Sequence, residues 1–160
     1  MKNIEWCNDA LVLLDQTKLP TQVEYIHCTD WRQVAEAIKM LRVRGAPAIG
    51  VAAGYGLILA ANEANRLEAP FSEQISAFYE WSEELKETRP TAINLAWAVN
   101  RVMAIVKAGQ FDAMNEVVDR ITKEAIAIHK EDVELNTRMA INGATLFEGK
   151  NHLRILTHCN

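Results

Sequence analysis

The sequence predicts an α+β fold, in which a small N-terminal antiparallel sheet is followed by a helical bundle and then by the first strand of an α/β domain. Three observations support this prediction. Apolar residues alternate or cluster within residues 11–28, recur at helical spacing within residues 34–144, and form one short run at residues 153–157. We therefore expect one domain over residues 1–145 and the start of a second over residues 146–160.

The sheet is predicted from two short segments that are rich in strand-forming residues. Residues 11–16 contain an apolar run, residues 23–28 alternate roughly with a period of two, and Pro20 marks a break between them. This pattern predicts two or three antiparallel strands.

Five helices are predicted after the sheet. Asp30 has the side chain of an N-cap residue, and apolar residues recur behind it at helical spacing until the chain reaches Gly45. The second helix is predicted from Pro47, a residue favoured in the first helical turn, to about Asn65. Its many small residues indicate that it is buried among close neighbours. Three further helices are predicted at residues 72–86, 91–107 and 111–144.

The last apolar run, at residues 153–157, is predicted to be a strand, and because a lone strand cannot pair its own backbone groups it implies a neighbouring sheet. Cys159 lies just after it, at the carboxyl end, where ligands bind in open α/β sheets. A thiol in that position can exchange a proton with a ligand. The alternative, which spacing alone favours, is that Cys159 is a small buried apolar side chain.

The composition is that of a folded globular protein, with 49% hydrophobic and 24% charged residues among 160. The net charge of -4 comes from interspersed acids and bases, which argues against a nucleic-acid-binding protein. The sequence shows neither a signal peptide nor a run long and apolar enough to span a membrane. The three cysteines have no metal-ligand spacing and indicate a reducing compartment, so we expect a cytoplasmic protein.

Residues 44–50 (RGAPAIG) have the features of an anion site at a helix start. Gly45 permits a sharp turn, and Pro47 begins a helix whose unpaired N–H groups and dipole attract anions. Arg44 adds a permanently charged, forked donor that suits phosphate. The alternative is a surface arginine before an ordinary helix, and the physics of the segment alone favours that alternative at least equally.

Residues 88–95 (TRPTAINL) repeat this arrangement, with Thr88 or Thr91 able to cap the helix. Two such segments in one chain favour the convergence of two helix starts on one anion. His129 and Asp132 share a face of the last helix, but their charged neighbours indicate a solvated surface.

The segments RGAPAIG, RPTAINL (residues 89–95) and THCN (residues 157–160) together resemble motifs of the methylthioribose-1-phosphate isomerase family, in the same order along the chain. The superfamily also contains ribose-1,5-bisphosphate isomerase and the regulatory subunits of a translation-initiation exchange factor. The first segment is shared with these relatives in looser form, whereas THCN is more specific for an isomerase.

This resemblance implies an aldose–ketose isomerase of methionine salvage that acts on 5-methylthioribose 1-phosphate without a metal or organic cofactor. It implies that Arg44, Gly45, Ala46 and Arg89 bind the substrate and its phosphate, and that Cys159 is catalytic. It also implies a Rossmann-like C-terminal domain and a homodimer. We expect no nucleic-acid or membrane partner.

Chains of that family are longer, and their second catalytic group, an aspartate, would lie beyond residue 160. We therefore expect the 160-residue chain alone to be inactive. Two alternatives remain open, namely the same chemistry on ribose 1,5-bisphosphate and a non-catalytic regulatory subunit. The cysteine in THCN weighs against the regulatory subunit.

Overall fold

The N-terminal part of the molecule is an antiparallel sheet, shown by a computed structural model that describes residues 2–150 and 152–158. Its strands stand in the order β1-β2-β3 and are β1 at Ile4–Cys7, β2 at Ala10–Leu14 and β3 at Tyr25–Cys28. Asn8 and Asp9 form the turn between β1 and β2, and both have positive φ angles, of 50° and 56°. Asn and Asp tolerate this conformation, which matches the twist of a tight hairpin.

The helices of the described chain follow the sheet, so the predicted order of a small sheet and then helices is confirmed. Asp30 caps the first helix as predicted, since its side chain accepts from the backbone N–H of Arg32 and Gln33 completes a capping box. The helices are α1 at Trp31–Lys39, α2 at Ala46–Asn65, α3 at Phe71–Glu87, α4 at Ile93–Ala108 and α5 at Met114–Thr145.

Helix α2 forms the centre of the bundle and packs against β1, β2 and the four other helices. It is buried on nearly all sides, and its small residues let the neighbours approach. A Cβ added at Gly56 would stand 3.1 Å from side-chain atoms of both Val34 and Leu85. The prediction of a buried helix with close neighbours is confirmed. Within the described residues, none of the helices has both the length and the apolar character needed to cross a membrane.

The segment at residues 153–158 is exposed and has no regular secondary structure. The strand expected at residues 153–157 is therefore not formed here, because no other strand of the described chain lies beside it to pair with its backbone. The Rossmann-like domain expected from this strand stays a prediction.

Candidate active site between two helix starts

The first of the two helix starts is built by Gly45, the N-cap of α2. Its φ of 96° lies in the region that favours glycine, and it turns the chain into the helix at Ala46. The N–H of Ile49 donates to the carbonyl oxygen of Gly45 at 3.0 Å. Pro47 has no N–H, and helix geometry leaves the N–H groups of Ala46 and Ala48 without an intrahelical acceptor. The helix start therefore presents free donors and the positive end of its dipole.

Arg44, just before this helix, is held in place by its own backbone and by the sheet. Its Nε donates to the carbonyl oxygen of Leu41 at 3.2 Å. The backbone N–H of Gln16 donates to the carbonyl oxygen of Arg42 at 2.8 Å. The side-chain amide of Gln16 donates to the carbonyl oxygen of Arg44 at 3.4 Å. The guanidinium is exposed, and no other group of the described chain accepts from its terminal nitrogens. Those nitrogens are available to a ligand.

The second helix start lies at Ile93, two residues later than predicted. Arg89 is half-buried before it, and the N–H of Ala92 donates to the carbonyl oxygen of Arg89 at 2.9 Å. The expected threonine cap is wrong. Thr88 instead donates its hydroxyl to the carbonyl oxygen of Leu85 at the end of α3, and Ala92, the N-cap residue of α4, has no side chain that can cap.

The two helix starts converge on one cavity of about 580 Å³, which we call the anion cleft. The structure thus brings together four of the five site residues predicted from the sequence, all except Cys159. The cleft is lined by Leu41, Arg44, Gly45, Ala46, Ile49, Arg89, Thr91, Ala92, Ile93 and Asn94.

A glycine allows this convergence. A Cβ added at Gly50 would stand 2.8 Å from the backbone carbonyl oxygen of Asn94 and 3.6 Å from the Cβ of Ala98. Helices α2 and α4 therefore contact each other within the first two turns of each helix, and any side chain at residue 50 would separate them. Gly50, the last residue of the RGAPAIG motif, is thus required for the short distance between this motif and the RPTAINL motif.

The charge of the cleft is not neutralised by the described part of the protein. Arg42, which lies outside the cleft lining, is by contrast neutralised by ion pairs with both Asp15 and Glu36. Neither Arg44 nor Arg89 has a carboxylate partner among residues 2–150 and 152–158. Two uncompensated guanidinium groups and two uncapped helix starts make the cleft suited to a phosphate or another small anion.

The fifth predicted site residue, Cys159, lies outside the described residues. Its neighbour His158 is described and exposed. The proposed role of Cys159 in catalysis stays a prediction.

A second cavity, of about 360 Å³, adjoins the anion cleft and was not predicted from the sequence. The two cavities share Ile93 and Asn94. The new cavity has mostly apolar walls, with two carboxylates at its edge, and we call it the apolar cavity. The only signal in the sequence was the presence of Ile93 and Trp97 one turn apart on a predicted helix. The apolar cavity is lined by Pro47, Gly50, Val51, Ile93, Asn94, Trp97, Ile128, Glu131, Asp132 and Leu135.

A third cavity, of about 630 Å³, lies where β1, α2 and α5 meet. The hydroxyl of Tyr55 and Nδ1 of His129 are hydrogen-bonded at 2.8 Å, and the ring of Trp6 stacks on Tyr55 at 5.1 Å between centroids. Burial raises the pKa of Tyr55 to about 12 and lowers the pKa of His129, which Asp132 opposes only in part. His129 is half-buried, so the solvated surface that its charged neighbours predicted does not extend over its ring. Within the described ranges, no group of three or more His, Cys, Asp or Glu side chains is placed to hold a metal ion.

Two curated relatives that are similar to this chain over its whole length are both named methylthioribose-1-phosphate isomerase. Methylthioribose-1-phosphate isomerase of Desulforamulus reducens is 45% identical to this chain over an alignment of 161 positions, which covers 100% of this chain and 45% of that protein. The protein of the same name from Pelotomaculum thermopropionicum is 45% identical over an alignment of 163 positions, which covers 100% of this chain and 43% of the relative. The chain therefore spans less than half the length of the curated relatives it matches.

Two solved structures share the fold at comparable identity. The 5-methylthioribose 1-phosphate isomerase of Pyrococcus horikoshii OT3 matches with a TM-score of 0.83 and 41% identity, over 90% of this chain and 40% of that one. The translation initiation factor eIF-2B, subunit delta, from A. fulgidus matches with a TM-score of 0.74 and 40% identity, over 84% of this chain and 38% of that one.

A family model agrees with these likenesses. The model described as the initiation factor 2 subunit family matches residues 42–160, a range that begins just before Arg44 and includes Arg89 and Cys159. Since this range is most of the chain, the protein belongs to the initiation factor 2 subunit family.

Proposed function

We propose that the protein is the N-terminal part of an aldose–ketose isomerase that converts 5-methylthioribose 1-phosphate to 5-methylthioribulose 1-phosphate in methionine salvage. The observation that carries this proposal is the anion cleft, where Arg44 and Arg89 face one cavity at two helix starts. The names of the most similar curated relatives support the same activity. An anion cleft alone would fit many phosphorylated ligands, and the relatives narrow it to a sugar 1-phosphate.

In this proposal the cleft holds the phosphate while the sugar reacts. The guanidinium groups of Arg44 and Arg89 form charge-assisted hydrogen bonds to the phosphate oxygens, and the free N–H of Ala46 adds a backbone donor. Fixing the phosphate orients the sugar, which contributes to rate by positioning. Cys159 then assists the proton transfer between adjacent sugar carbons or stabilises its transition state.

The further parts of the proposal concern the whole protein. A Rossmann-like domain follows the helical domain and supplies an aspartate as the second catalytic group. The complete protein is a cytoplasmic homodimer that binds neither nucleic acid nor membrane. The chain spans less than half of its curated relatives, which is consistent with a second domain of similar size.

The proposal is tested by assaying the full-length gene product with 5-methylthioribose 1-phosphate and ribose 1,5-bisphosphate side by side. We expect turnover of the first sugar only. Turnover of ribose 1,5-bisphosphate alone would assign the same chemistry to a different substrate and contradict the proposal.

The role of Cys159 is tested in the same full-length protein. The substitution Cys159→Ala is expected to abolish turnover and to leave the dissociation constant for the substrate nearly unchanged, because the cysteine acts on the reacting carbons and not on the phosphate. Full turnover by this variant would remove Cys159 from the mechanism.

The 160-residue chain is proposed to be inactive by itself. It contains the anion cleft, but the proposed aspartate would lie beyond residue 160. Isomerase turnover by the purified 160-residue protein would contradict this part of the proposal.

A second candidate function is a regulatory subunit without catalysis, which is favoured by the likeness to the A. fulgidus eIF-2B delta subunit. This candidate keeps the anion cleft as a sensor for a sugar phosphate. Binding of a sugar phosphate without turnover in the assay above, together with a stable heteromeric partner, would support it over the isomerase.

A further inference from the structure

The loop between α1 and α2 contains a residue in a strained conformation. Leu41 has a φ of 59°, in the left-handed region that favours glycine. Its N–H donates to the carbonyl oxygen of Ile38 at 3.3 Å. The N–H of Arg42 donates to the carbonyl oxygen of Ala37 at 2.9 Å, so that α1 ends in a Schellman motif. Glycine is usual at the position of Leu41 in this motif, and a leucine keeps the conformation only where the surrounding structure holds it.

The position of Arg44 depends on this conformation. Nε of Arg44 donates to the carbonyl oxygen of Leu41 at 3.2 Å, so the direction of that carbonyl group determines where the guanidinium lies. Both residues line the anion cleft. If the backbone relaxed at Leu41, the terminal nitrogens of Arg44 would therefore move relative to a phosphate held at the helix starts.

Asp15, directly after β2, holds the loop through its side chain. Among the described residues it is the only buried carboxylate. One of its oxygens accepts from the backbone N–H and the hydroxyl of Thr17, at 3.0 Å and 2.6 Å. The other accepts from Nη1 of Arg42 at 2.8 Å. Because both oxygens are occupied, the carboxylate has a fixed position, and it fixes Arg42, the residue after Leu41.

The charge of Asp15 is maintained by these partners. Burial alone would raise the pKa of its carboxyl group, but the hydrogen bonds from Thr17 and the ion pair with Arg42 outweigh burial and lower the pKa. Asp15 is therefore ionised at neutral pH. An ion pair that excludes water in this way adds little to stability, because desolvation of the charges opposes their attraction. Stability alone thus does not account for the pair.

Gln16, the next residue, holds the same loop through its backbone. Its N–H donates to the carbonyl oxygen of Arg42 at 2.8 Å, and its side-chain amide donates to the carbonyl oxygen of Arg44 at 3.4 Å. Neither Asp15 nor Gln16 lines the anion cleft. Any effect of these two residues on a bound anion must therefore act through the loop.

We propose that Asp15 is a positioning residue for the anion cleft. Through Arg42, and together with Gln16, it holds the backbone at Leu41 in its strained conformation and so keeps Arg44 directed at the phosphate. This inference rests on the proposed function for the role of the cleft as a phosphate site.

The experiment measures the dissociation constant of the full-length gene product for inorganic phosphate by calorimetry. Asp15→Asn keeps the size of the side chain but removes the ion pair with Arg42. We expect this variant to bind phosphate at least about threefold more weakly, an effect within the range found for coupled neighbours. Charge alone predicts the opposite sign, because the loss of a negative charge near the cleft should strengthen its attraction for an anion.

Glu36→Gln is the matched control. It removes a negative charge from the same guanidinium, but Glu36 is exposed on α1, where an ion pair restrains its partner little. This variant should keep the wild-type dissociation constant. Gln16→Ala is a second test, which should fold even if Asp15→Asn does not, because Gln16 is only half-buried and its backbone N–H remains. It should also weaken phosphate binding, by a smaller factor.

A double-mutant cycle separates positioning from a general loss of structure. In an Arg44→Ala background, Asp15→Asn should lose most of its effect on phosphate binding, because the side chain that it positions is absent. In an Arg89→Ala background it should weaken binding by the same factor as in the wild-type protein, because Arg89 precedes a different helix.

The outcomes also separate this role from the proposed function. Absence of phosphate binding by the wild-type protein, binding that is not weakened in Asp15→Asn and Gln16→Ala, or an equal loss in both arginine backgrounds would overturn the inference. If the cycle shows the expected coupling but the protein turns over neither 5-methylthioribose 1-phosphate nor ribose 1,5-bisphosphate, the positioning role stands and the isomerase proposal fails. Turnover of 5-methylthioribose 1-phosphate without this coupling would give the opposite result.

Discussion

Arg44 and Arg89 carry the positive charge of the anion cleft, and neither forms an ion pair with a carboxylate in the described part of the chain. Arg32 has a different environment, since it is paired with Asp30 and Glu63. An arginine that is already paired gains less from an added anion, because the carboxylate must be displaced or the anion must be bound beside it. The unpaired arginines are therefore the side chains on which anion affinity should depend.

We predict that Arg44→Ala or Arg89→Ala in the full-length protein raises the KM for the sugar phosphate by about 10- to 100-fold, since a hydrogen bond to a charged group contributes about 1.5–3 kcal/mol. Steady-state kinetics provide the measurement. Arg66→Ala is the control, because Arg66 is an exposed arginine at the opposite end of α2. An unchanged KM for both variants would place the two guanidinium groups outside the binding site.

His129 gives a prediction about pH. Burial lowers its pKa below the ordinary value of 6.5, so the folded state binds a proton less readily than the unfolded state. The free energy of unfolding should thus be highest above about pH 6.5 and should decrease as the pH falls towards the folded-state pKa. Urea unfolding of the 160-residue chain between pH 8 and pH 5.5 measures this decrease.

The part of the decrease that belongs to His129 is obtained from His129→Gln, which should flatten the pH dependence. His27→Gln is the control, since His27 is exposed on β3. If His129→Gln and the wild-type protein lose the same free energy of unfolding over this pH range, the hydrogen bond to Tyr55 does not depend on a neutral imidazole.

The conformation of a single residue could be predicted from the sequence where it depends only on residues close to it in the chain. The cap at Asp30 and the glycine turn at Gly45 depend on neighbours within a few positions, and the sequence contains those neighbours. The half-buried position of His129 was not predicted, because its partner, Tyr55, is 74 positions away in the chain. No helical spacing pattern records a contact between two helices that are so distant in sequence.

The pair of helices α2 and α4 positions the cleft, and its closest approach is at Gly50. We predict that Gly50→Ala destabilises the 160-residue chain by about 1–3 kcal/mol, because the added methyl group meets the rigid backbone carbonyl of Asn94 at 2.8 Å. Gly54→Ala is the control on the same helix, since its methyl group would meet Ala125 at an ordinary 3.5 Å.

Urea unfolding midpoints of the two variants provide the measurement. Alanine is the better helix former by about 0.5–1 kcal/mol, so Gly54→Ala should be neutral or stabilising. Equal midpoints for the two variants would show that α2 and α4 can move apart at no cost, and that Gly50 does not set the distance between the two motifs.

Helices were predicted better than the connections between them. Spacing of apolar residues gave each helix of the described chain close to its observed range. The start of α4 was predicted two residues too early, because residues 89–92 form a turn, closed by the hydrogen bond from the N–H of Ala92 to the carbonyl oxygen of Arg89, before the helix begins. The short strand β1 was not predicted individually, since the four residues of Ile4–Cys7 are too few to show a period.

At the scale of the whole molecule, α5 has two different halves. Its 32 residues make it about 48 Å long. The first half is anchored in the core by Met114, Val117, Ile121, Ala125 and Ile128, whereas residues 133–142 are exposed. Several exposed residues of the second half are large and apolar, among them Leu135, Met139 and Ile141.

We predict that amide hydrogen exchange in the 160-residue chain distinguishes these halves. Amides of residues 117–128 should be protected by global stability, and those of residues 133–142 should exchange faster, because a helical segment without packing is marginal in water. The measurement should be made at two protein concentrations. Equal protection of both halves at the lower concentration would show that the second half is stable without packing.

The order of sheet and helices could be predicted for the whole molecule, and so could two arginine motifs at helix starts. Their convergence on one cavity could only be suggested, because it depends on the packing of α2 against α4. The apolar cavity was not foreseen at all, since its walls come from three helices that are distant in sequence.

The support of Arg44 by the sheet has a consequence for the entropy of binding. The segment before α2 is fixed to the end of β2 by the Gln16 hydrogen bonds and by the ion pair between Arg42 and Asp15, whose carboxylate is buried. The loop therefore loses its conformational freedom when the protein folds and not when a ligand arrives. We expect an anion to meet a preorganised site, and its rate of association to depend on diffusion and charge steering instead of on loop closure.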